Sequence, residues 1–282
     1  MPIPTPNLKH ALALLVTLTG TAALGQATAQ PAAAQPAAAE VSVFAAGSLR
    51  AALTEASKVY ETLQPGVRLS FTFGASGLLK DRLLAGEAAG VFASANMEHP
   101  QALQAVGKAQ PVQRFARNTM CALVRPGLDI TPSTLVQRML DPAIKLGTST
   151  PKADPAGDYA WQVFERIEQA GTPNAFAALS VKALQLTGGP QSPPPPANRN
   201  VYGMLVVQGA ADLFITYCTN AVLAQREEPA LQVVAVPEAI NASAGYGIAL
   251  LNPPSAPAQG FVDFLLAPAG QAVLARHGFS PR

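Results

Sequence analysis

The sequence predicts an α/β protein of two related lobes, each a mostly parallel sheet flanked by helices. Three observations carry that expectation. In residues 41–60, Val41, Val43 and Phe44 read as a buried strand, and Leu49, Leu53, Ala56, Val59 and Tyr60 follow at the spacing of a one-faced apolar helix. Residues 71–84 repeat the pattern, with Gly74, Ser76 and Gly77 between an alternating strand and a helical run through Leu78, Leu79, Leu83 and Leu84. Residues 144–170 then present strand, turn and helix a third time.

The chain ahead of the first strand is not expected to join the fold. Lys9 and His10 precede an apolar run over residues 11–24, and Ala27-Thr28-Ala29 is a small-x-small cleavage site, so residues 1–29 read as a secretory signal peptide. No Cys follows that run, which argues against a lipid anchor. Residues 30–39, with repeated Gln-Pro-Ala-Ala-Ala, read as a flexible spacer. About 250 residues remain, enough for one large domain or two of ordinary size. Losing Lys9 takes the 19 basic residues to 18 against 17 acidic ones, so the mature charge is +1 and nothing points to nucleic acid or an anionic membrane. No apolar run after residue 40 reaches the roughly 18 residues a membrane helix needs, so the mature protein is expected to be soluble and exported.

The first turn is where chemistry is expected. Gly47 permits a tight turn or close approach of a ligand, and Ser48 has the character of an N-cap, with helix N–H groups aimed outward toward a small anion. A serine before an apolar run is also what any helix start looks like. The second copy at Ser76 shifts the balance, because two such turns in adjacent βα units lie side by side at the carboxyl edge of a parallel sheet, where open α/β sheets bind ligands.

Further along, residues 90–95 read as a short strand whose Ser94 is either structural or a ligand donor, 100–106 as a helix, and 115–124 as a strand crossing into the second lobe, closed by Pro126 and Gly127. Residues 144–148 are expected as a strand, 149–157 as a loop, and 159–170 as a helix with Trp161, Phe164 and Ile167 on its apolar side. Pro155-Ala-Gly157 is a third candidate anion-binding turn by the same logic. Residues 179–186 fit a short helix or a strand, and the proline-rich 188–197 an extended, exposed excursion. A helix over 200–209, a buried strand over 211–217, and strands over 231–236 and 247–251 returning to the first lobe come next. Two helices broken at Pro268-Ala-Gly270 and packed on the first lobe close the chain.

The sequence holds no Walker loop, GxGxxG, CxxC or HExxH. His99 and His277 have no metal-ligand neighbours in sequence. Gly74-Ala-Ser-Gly77 is not a nucleophile elbow, since Leu78 stands where its second glycine belongs. No base is at hand for a serine hydrolase.

Val43-Phe-Ala-Ala-Gly-Ser-Leu49, Phe73-Gly-Ala-Ser-Gly77, Gly90-Val-Phe-Ala-Ser-Ala95 and Asp154-Pro-Ala-Gly-Asp-Tyr159 together resemble the periplasmic molybdate-binding proteins of ABC importers. The resemblance runs through the whole mature chain. It implies a type II periplasmic-binding-protein fold with a two-stranded hinge and the ligand cleft between the lobes: lobe 1 from residues 40–117 and 245–282, lobe 2 from 118–244. Position by position, it places the oxyanion contacts on Ser48 and Ser76 (hydroxyl and backbone N–H), on the backbone N–H of Ala156 and Val201, and on the hydroxyl of Tyr217. Gly90 and Asn96 depart from the family, which favours Asp at both places, and so does the proline run before Val201. The implied topology also sets Cys121 beside Cys218, predicting a disulfide in an oxidising compartment, with two buried free thiols as the alternative.

The function expected from this resemblance is periplasmic capture of molybdate or tungstate and delivery to an ABC permease, by a monomer with no catalysis, cofactor or cation ligands. Alternatives are a binding protein for another oxyanion or small organic anion, a ligand sensor for a membrane receptor, and an exported enzyme using Ser48 or Ser76 as nucleophile. Micromolar capture requires roughly 8 kcal/mol, which several hydrogen bonds to a charged ligand at about 1.5–3 kcal/mol each supply only with both lobes contributing. All five expected contacts are donors, and Asp154 and Asp158 are expected to serve their own loop and helix. Phosphate, which carries a proton, is therefore expected to bind poorly. Cavity size is left to separate molybdate and tungstate from sulfate.

Overall fold

The computed structural model describes residues 38–194 and 199–282. The expected signal peptide, nearly all of the spacer, and the end of the proline-rich stretch lie outside the described residues. The spacer's last residue, Ala39, is already the first of a strand.

The elements run β1 (Ala39–Ala46), α1 (Arg50–Leu63), β2 (Val67–Gly74), α2 (Ser76–Leu84), β3 (Val91–Ser94), α3 (Glu98–Ala105), β4 (Gln113–Val124) and α4 (Leu135–Leu140). There follow β5 (Leu146–Ser149), α5 (Pro155–Gln169), α6 (Ala175–Lys182), β6 (Leu184–Thr187), α7 (Val201–Val207), β7 (Leu213–Tyr217) and α8 (Cys218–Glu227). The chain closes with β8 (Gln232–Ala235), β9 (Ser243–Leu250), α9 (Ala256–Leu266) and α10 (Pro268–Arg276). The strand order is β2-β1-β3-β9-β4-β7-β5-β6, with β8 also on β4. Within each lobe the βαβ units are parallel (β1 with β2 and β3, β5 with β6 and β7), while β4, β8 and β9 run antiparallel to their neighbours. This is a two-lobed α/β architecture of the type II periplasmic-binding-protein kind.

The 12-residue β4 joins the lobes because its two ends pair with different partners. Its first part, from Gln113 to Thr119, pairs with β9; from Met120 onward it pairs with β7 and then β8. At the changeover the Asn241 side chain takes the place of a neighbouring strand: Oδ1 accepts from the Met120 N–H at 2.9 Å and Nδ2 donates to the Met120 carbonyl at 3.0 Å. The chain returns to the first lobe just after Asn241, through β9. β8 does not return with it, contrary to the expectation for 231–236, because its register with Cys121 to Val124 keeps it in the second lobe.

The apolar periodicities fill the interior as their spacing demands. Leu49, Leu53, Ala56 and Tyr60 of the first βα unit are buried, with Tyr60 packed against Phe261 and Phe264 of α9. Gly260 leaves room there for the Tyr60 hydroxyl, which a Cβ would meet at 2.5 Å. In the second lobe Val163, Phe164 and Ile167 of α5 are buried. α5 starts four residues before the expected Tyr159, since Pro155, read as a turn former, occupies its first turn behind the Asp154 cap. Residues 179–186 contain both of the expected alternatives, the end of α6 and then β6. Cys121 and Cys218 are joined in a disulfide between β4 and the start of α8.

Candidate functional site

β1 and β2 pair in register so that Ala46 lies opposite Gly74. Ser48 and Ser76, each two residues beyond those paired ends, therefore occupy equivalent places at the carboxyl edge of the sheet. Neither serine caps its helix: a 3-10 turn from Gly47 to Leu49 precedes α1, and no side chain caps α2. Both instead line one cavity of about 500 Å³ between the lobes.

The two hydroxyls are held by different neighbours. Ser76 is buried, and its Oγ accepts from the Ala95 N–H at 3.1 Å, which leaves its proton for a group in the cavity. Ser48 Oγ lies 2.9 Å from the Tyr246 hydroxyl. The Asn118 amide is oriented by its Oδ1 accepting from the Thr119 N–H, so its Nδ2 donates to Thr219 Oγ1 at 2.8 Å and to the Tyr246 hydroxyl at 3.3 Å. Tyr246 then has its own proton to give to Ser48, and the Ser48 proton is directed onward to the cavity. Burial holds the Tyr246 hydroxyl well above the usual tyrosine range, so it stays a neutral donor.

From the second lobe the cavity receives Tyr217, Val201, Tyr202, Asp154 and the described part of the proline-rich stretch, including Gly188, Pro190 and Ser192. That stretch is thus cavity wall as well as excursion. The Tyr217 hydroxyl donates across the cleft to the Ala95 carbonyl at 3.2 Å. Val201 opens α7, whose next two N–H groups are taken by the Asn200 side chain. Ala156 does not line the cavity, and its N–H donates to Asp154 Oδ1 at 3.0 Å. The structure therefore brings Ser48, Ser76, Val201 and Tyr217 together and leaves Ala156 behind Asp154.

Asp154 is half-buried, with its exposed edge on the cavity and no ion-pair partner among the described residues. The backbone of Gly188, in the left-handed region at φ +76°, runs so close that a Cβ there would strike its carboxylate. Burial pushes the Asp154 carboxyl up to about 6, with the nearby Asp158 adding to the rise and the Ala156 N–H and the Ser149 hydroxyl opposing it. Asp158 stands in the first turn of α5, as expected, and also accepts from the Lys152 N–H of the preceding loop at 2.7 Å.

The lobes touch directly at the α2 start, where the Gly77 N–H donates to the Ala153 carbonyl at 2.9 Å. Arg50 sits over the Phe73 ring at 4.5 Å on the cavity wall, without a carboxylate partner among the described residues. Arg82 and Arg199, also lining it, are paired with Glu87 and Glu228. The residues that depart from the resemblance have structural places: Gly90 packs against Val41 and Ala258, while Asn96 Oδ1 accepts from Ser94 Oγ and the His99 N–H. Among the described residues no cluster of His, Cys, Asp and Glu is arranged to hold a metal ion, and no helix is long and apolar enough to cross a membrane.

Two lobes, a shared strand and a cleft lined by helix-start serines define a solute-binding protein. The chain belongs to the family described as bacterial extracellular solute-binding protein, whose model matches residues 41–280. It is a solute-binding protein and not an enzyme, and both an extracytoplasmic location and an ABC permease partner are consistent with that family. It is 36% identical over 242 residues to the uncharacterized protein PM1146 of Pasteurella multocida, covering 85% of this chain and 98% of that one. It is 26% identical over 288 residues to the molybdate-binding protein ModA of Mycobacterium tuberculosis, covering 97% and 98%. Its fold is similar to that of the sulfate-binding protein SubI of M. tuberculosis (TM-score 0.71, 17% identity, 86% and 87% covered). The Azotobacter vinelandii periplasmic molybdate-binding protein is a second such neighbour (TM-score 0.67, 18% identity, 86% and 99% covered).

Proposed function

We propose that this protein captures a small oxyanion in the interlobe cavity, with molybdate and tungstate the first candidates, and delivers it to an ABC importer. The observation that carries the reading is the pair of register-matched serines, Ser48 and Ser76, opening on one cavity with neither spent as a cap. Ser76 has a free proton by its bonding pattern, and the Asn118–Tyr246 relay turns that of Ser48 toward the ligand. The Tyr217 hydroxyl joins them by exchanging the Ala95 carbonyl for a ligand oxygen. The named activity of the ModA relative supports molybdate as the ion to try first.

A small organic anion is the second reading, and one observation favours it. The lobes are already hydrogen-bonded across the cleft at Gly77 and Tyr217, yet the cavity keeps about 500 Å³, inside the roughly 300–1,000 Å³ typical of sites for organic ligands. Arg50, over Phe73 and without an acidic partner among the described residues, is placed for a second anionic group.

A thermal-shift panel of molybdate, tungstate, sulfate, phosphate and organic acids on the mature protein separates the readings. A ligand present at about 100 times its dissociation constant adds about 2.7 kcal/mol of stability. The oxyanion reading expects the largest shift from molybdate or tungstate; a larger shift from an organic acid transfers the assignment to the second reading, and no shift from any anion ends both.

A further inference from the structure

The second lobe presents the carboxylate edge of Asp154 to this cavity beside the tyrosines, and an anion site has no evident use for it. An ionised carboxylate next to a bound dianion is repelled by it. A protonated carboxyl donates a hydrogen bond to it instead.

We propose that Asp154 makes anion capture proton-linked: a fully deprotonated dianion is taken up together with one proton, held on Asp154 and shared with a ligand oxygen. The proposal rests on the oxyanion reading of the cavity. The proton comes from solvent, and no bond other than the carboxyl O–H is made. An anion that carries its own proton, such as hydrogen phosphate, needs no uptake, because Asp154 then stays ionised and accepts that proton's hydrogen bond. Asp154 thereby supplies the acceptor that a site of donors alone lacks, and admits the phosphate that such a site excludes.

The surroundings of Asp154 suit the role. Its Oδ1 is anchored by the Ala156 N–H, which fixes the carboxyl as the α5 cap and keeps it at the cavity wall. Asp158 on the same helix, the Tyr202 hydroxyl of α7 and the Tyr217 hydroxyl of β7 face it, and none of them is a cation. The cavity's arginines are Arg50 on the other lobe and Arg82 and Arg199, which have acidic partners of their own; Glu227 adds a further negative charge. Nothing among the described residues pairs with Asp154 and locks it in the ionised form. The carboxyl titrates at about 6 in the ligand-free cleft, and a bound dianion moves it higher still, so it is near the point of charging in a neutral medium.

Linkage gives the sign. Above the free-protein value and below the liganded one, molybdate affinity falls by about tenfold per pH unit as pH rises. Titration calorimetry with sodium molybdate between about pH 6 and 8, in paired buffers of different ionisation heat, reads the slope and counts the protons. The expected result is an uptake that rises from about half a proton per molybdate near pH 6 toward one above pH 7 in the wild type and is absent in Asp154→Asn, which binds molybdate more tightly than the wild type at pH 8. Asn is as good an N-cap as Asp, so the variant keeps the Ala156 bond and its fold. At pH 8 inorganic phosphate is expected to prefer the wild type. A pH-independent wild-type affinity, or a slope that survives in Asp154→Asn, overturns the proposal and leaves the oxyanion reading standing. Absence of molybdate, sulfate and phosphate binding in both proteins at every pH overturns the oxyanion reading and the proposal with it.

Discussion

Ser48 and Ser76 look alike in sequence and are held differently, so their removal is expected to read out differently. Ser48→Ala deletes a donor and leaves the Tyr246 hydroxyl with Asn118, so anion affinity is expected to fall by about 1–3 kcal/mol with little change in melting temperature. Ser76→Ala also strips the buried Ala95 N–H of its acceptor, so affinity and stability are expected to fall together. Calorimetry beside melting curves checks both, and unchanged affinity in the two variants removes them from the site. Asp154 carries a separate stability signature. Its folded value of about 6 lies above the ordinary 3.8, so the folded state holds the proton more tightly, and stability is lost as pH rises from about 4 to 6. Asp154→Asn is therefore expected to raise stability at pH 7.5 by roughly 2–3 kcal/mol and to leave it unchanged near pH 3.5; a gain equal at both values refutes the cause. Local chemistry gives Asp154 a role in its own loop and goes no further, because its place beside the cavity depends on the Gly188 backbone 34 residues on, far outside any local pattern.

Among the elements, the two βα turns were legible because glycine, serine and apolar spacing coincide there and the parallel register of β1 with β2 follows from them. The contacts that close the cleft were not. That the start of α2 meets the loop before α5 depends on the relative placement of the lobes, and only the finished fold shows why Gly77 has to be glycine. A Cβ at Gly77 would press on the Lys152 carbonyl and come within 2.6 Å of the Ala153 carbonyl. Gly77→Ala is expected to part the lobes at that point, costing about 1–3 kcal/mol of anion affinity while each lobe keeps its own packing. Small-angle scattering of the unliganded protein beside calorimetry tests this, and undiminished affinity with an unchanged radius of gyration would show that the contact does not govern closure. The short α4 and the helix α8 had no clear sequence signal; α8 begins at Cys218 directly after β7, with no turn former between to announce it.

For the whole molecule, the disulfide closes a loop of 97 residues within the second lobe. On loop-closure grounds it contributes about 4–5 kcal/mol, so the Cys121→Ala, Cys218→Ala double variant is expected to unfold at distinctly lower denaturant than the oxidised protein. Equal midpoints would mean that strain or residual structure cancels the gain. The lobes, by contrast, are joined by two neighbouring crossings of the chain, β4 and the segment after Asn241, with the Asn241 amide clasping Met120 where they pass. Two adjacent crossings define a line, and swinging about a line is one coordinate, whereas sliding or twisting would tear the ladder between β4 and β9. Opening and closing can then be followed with one ruler: a single spectroscopic distance between labels on α2 and α5 suffices to give the population of each state at every ligand concentration.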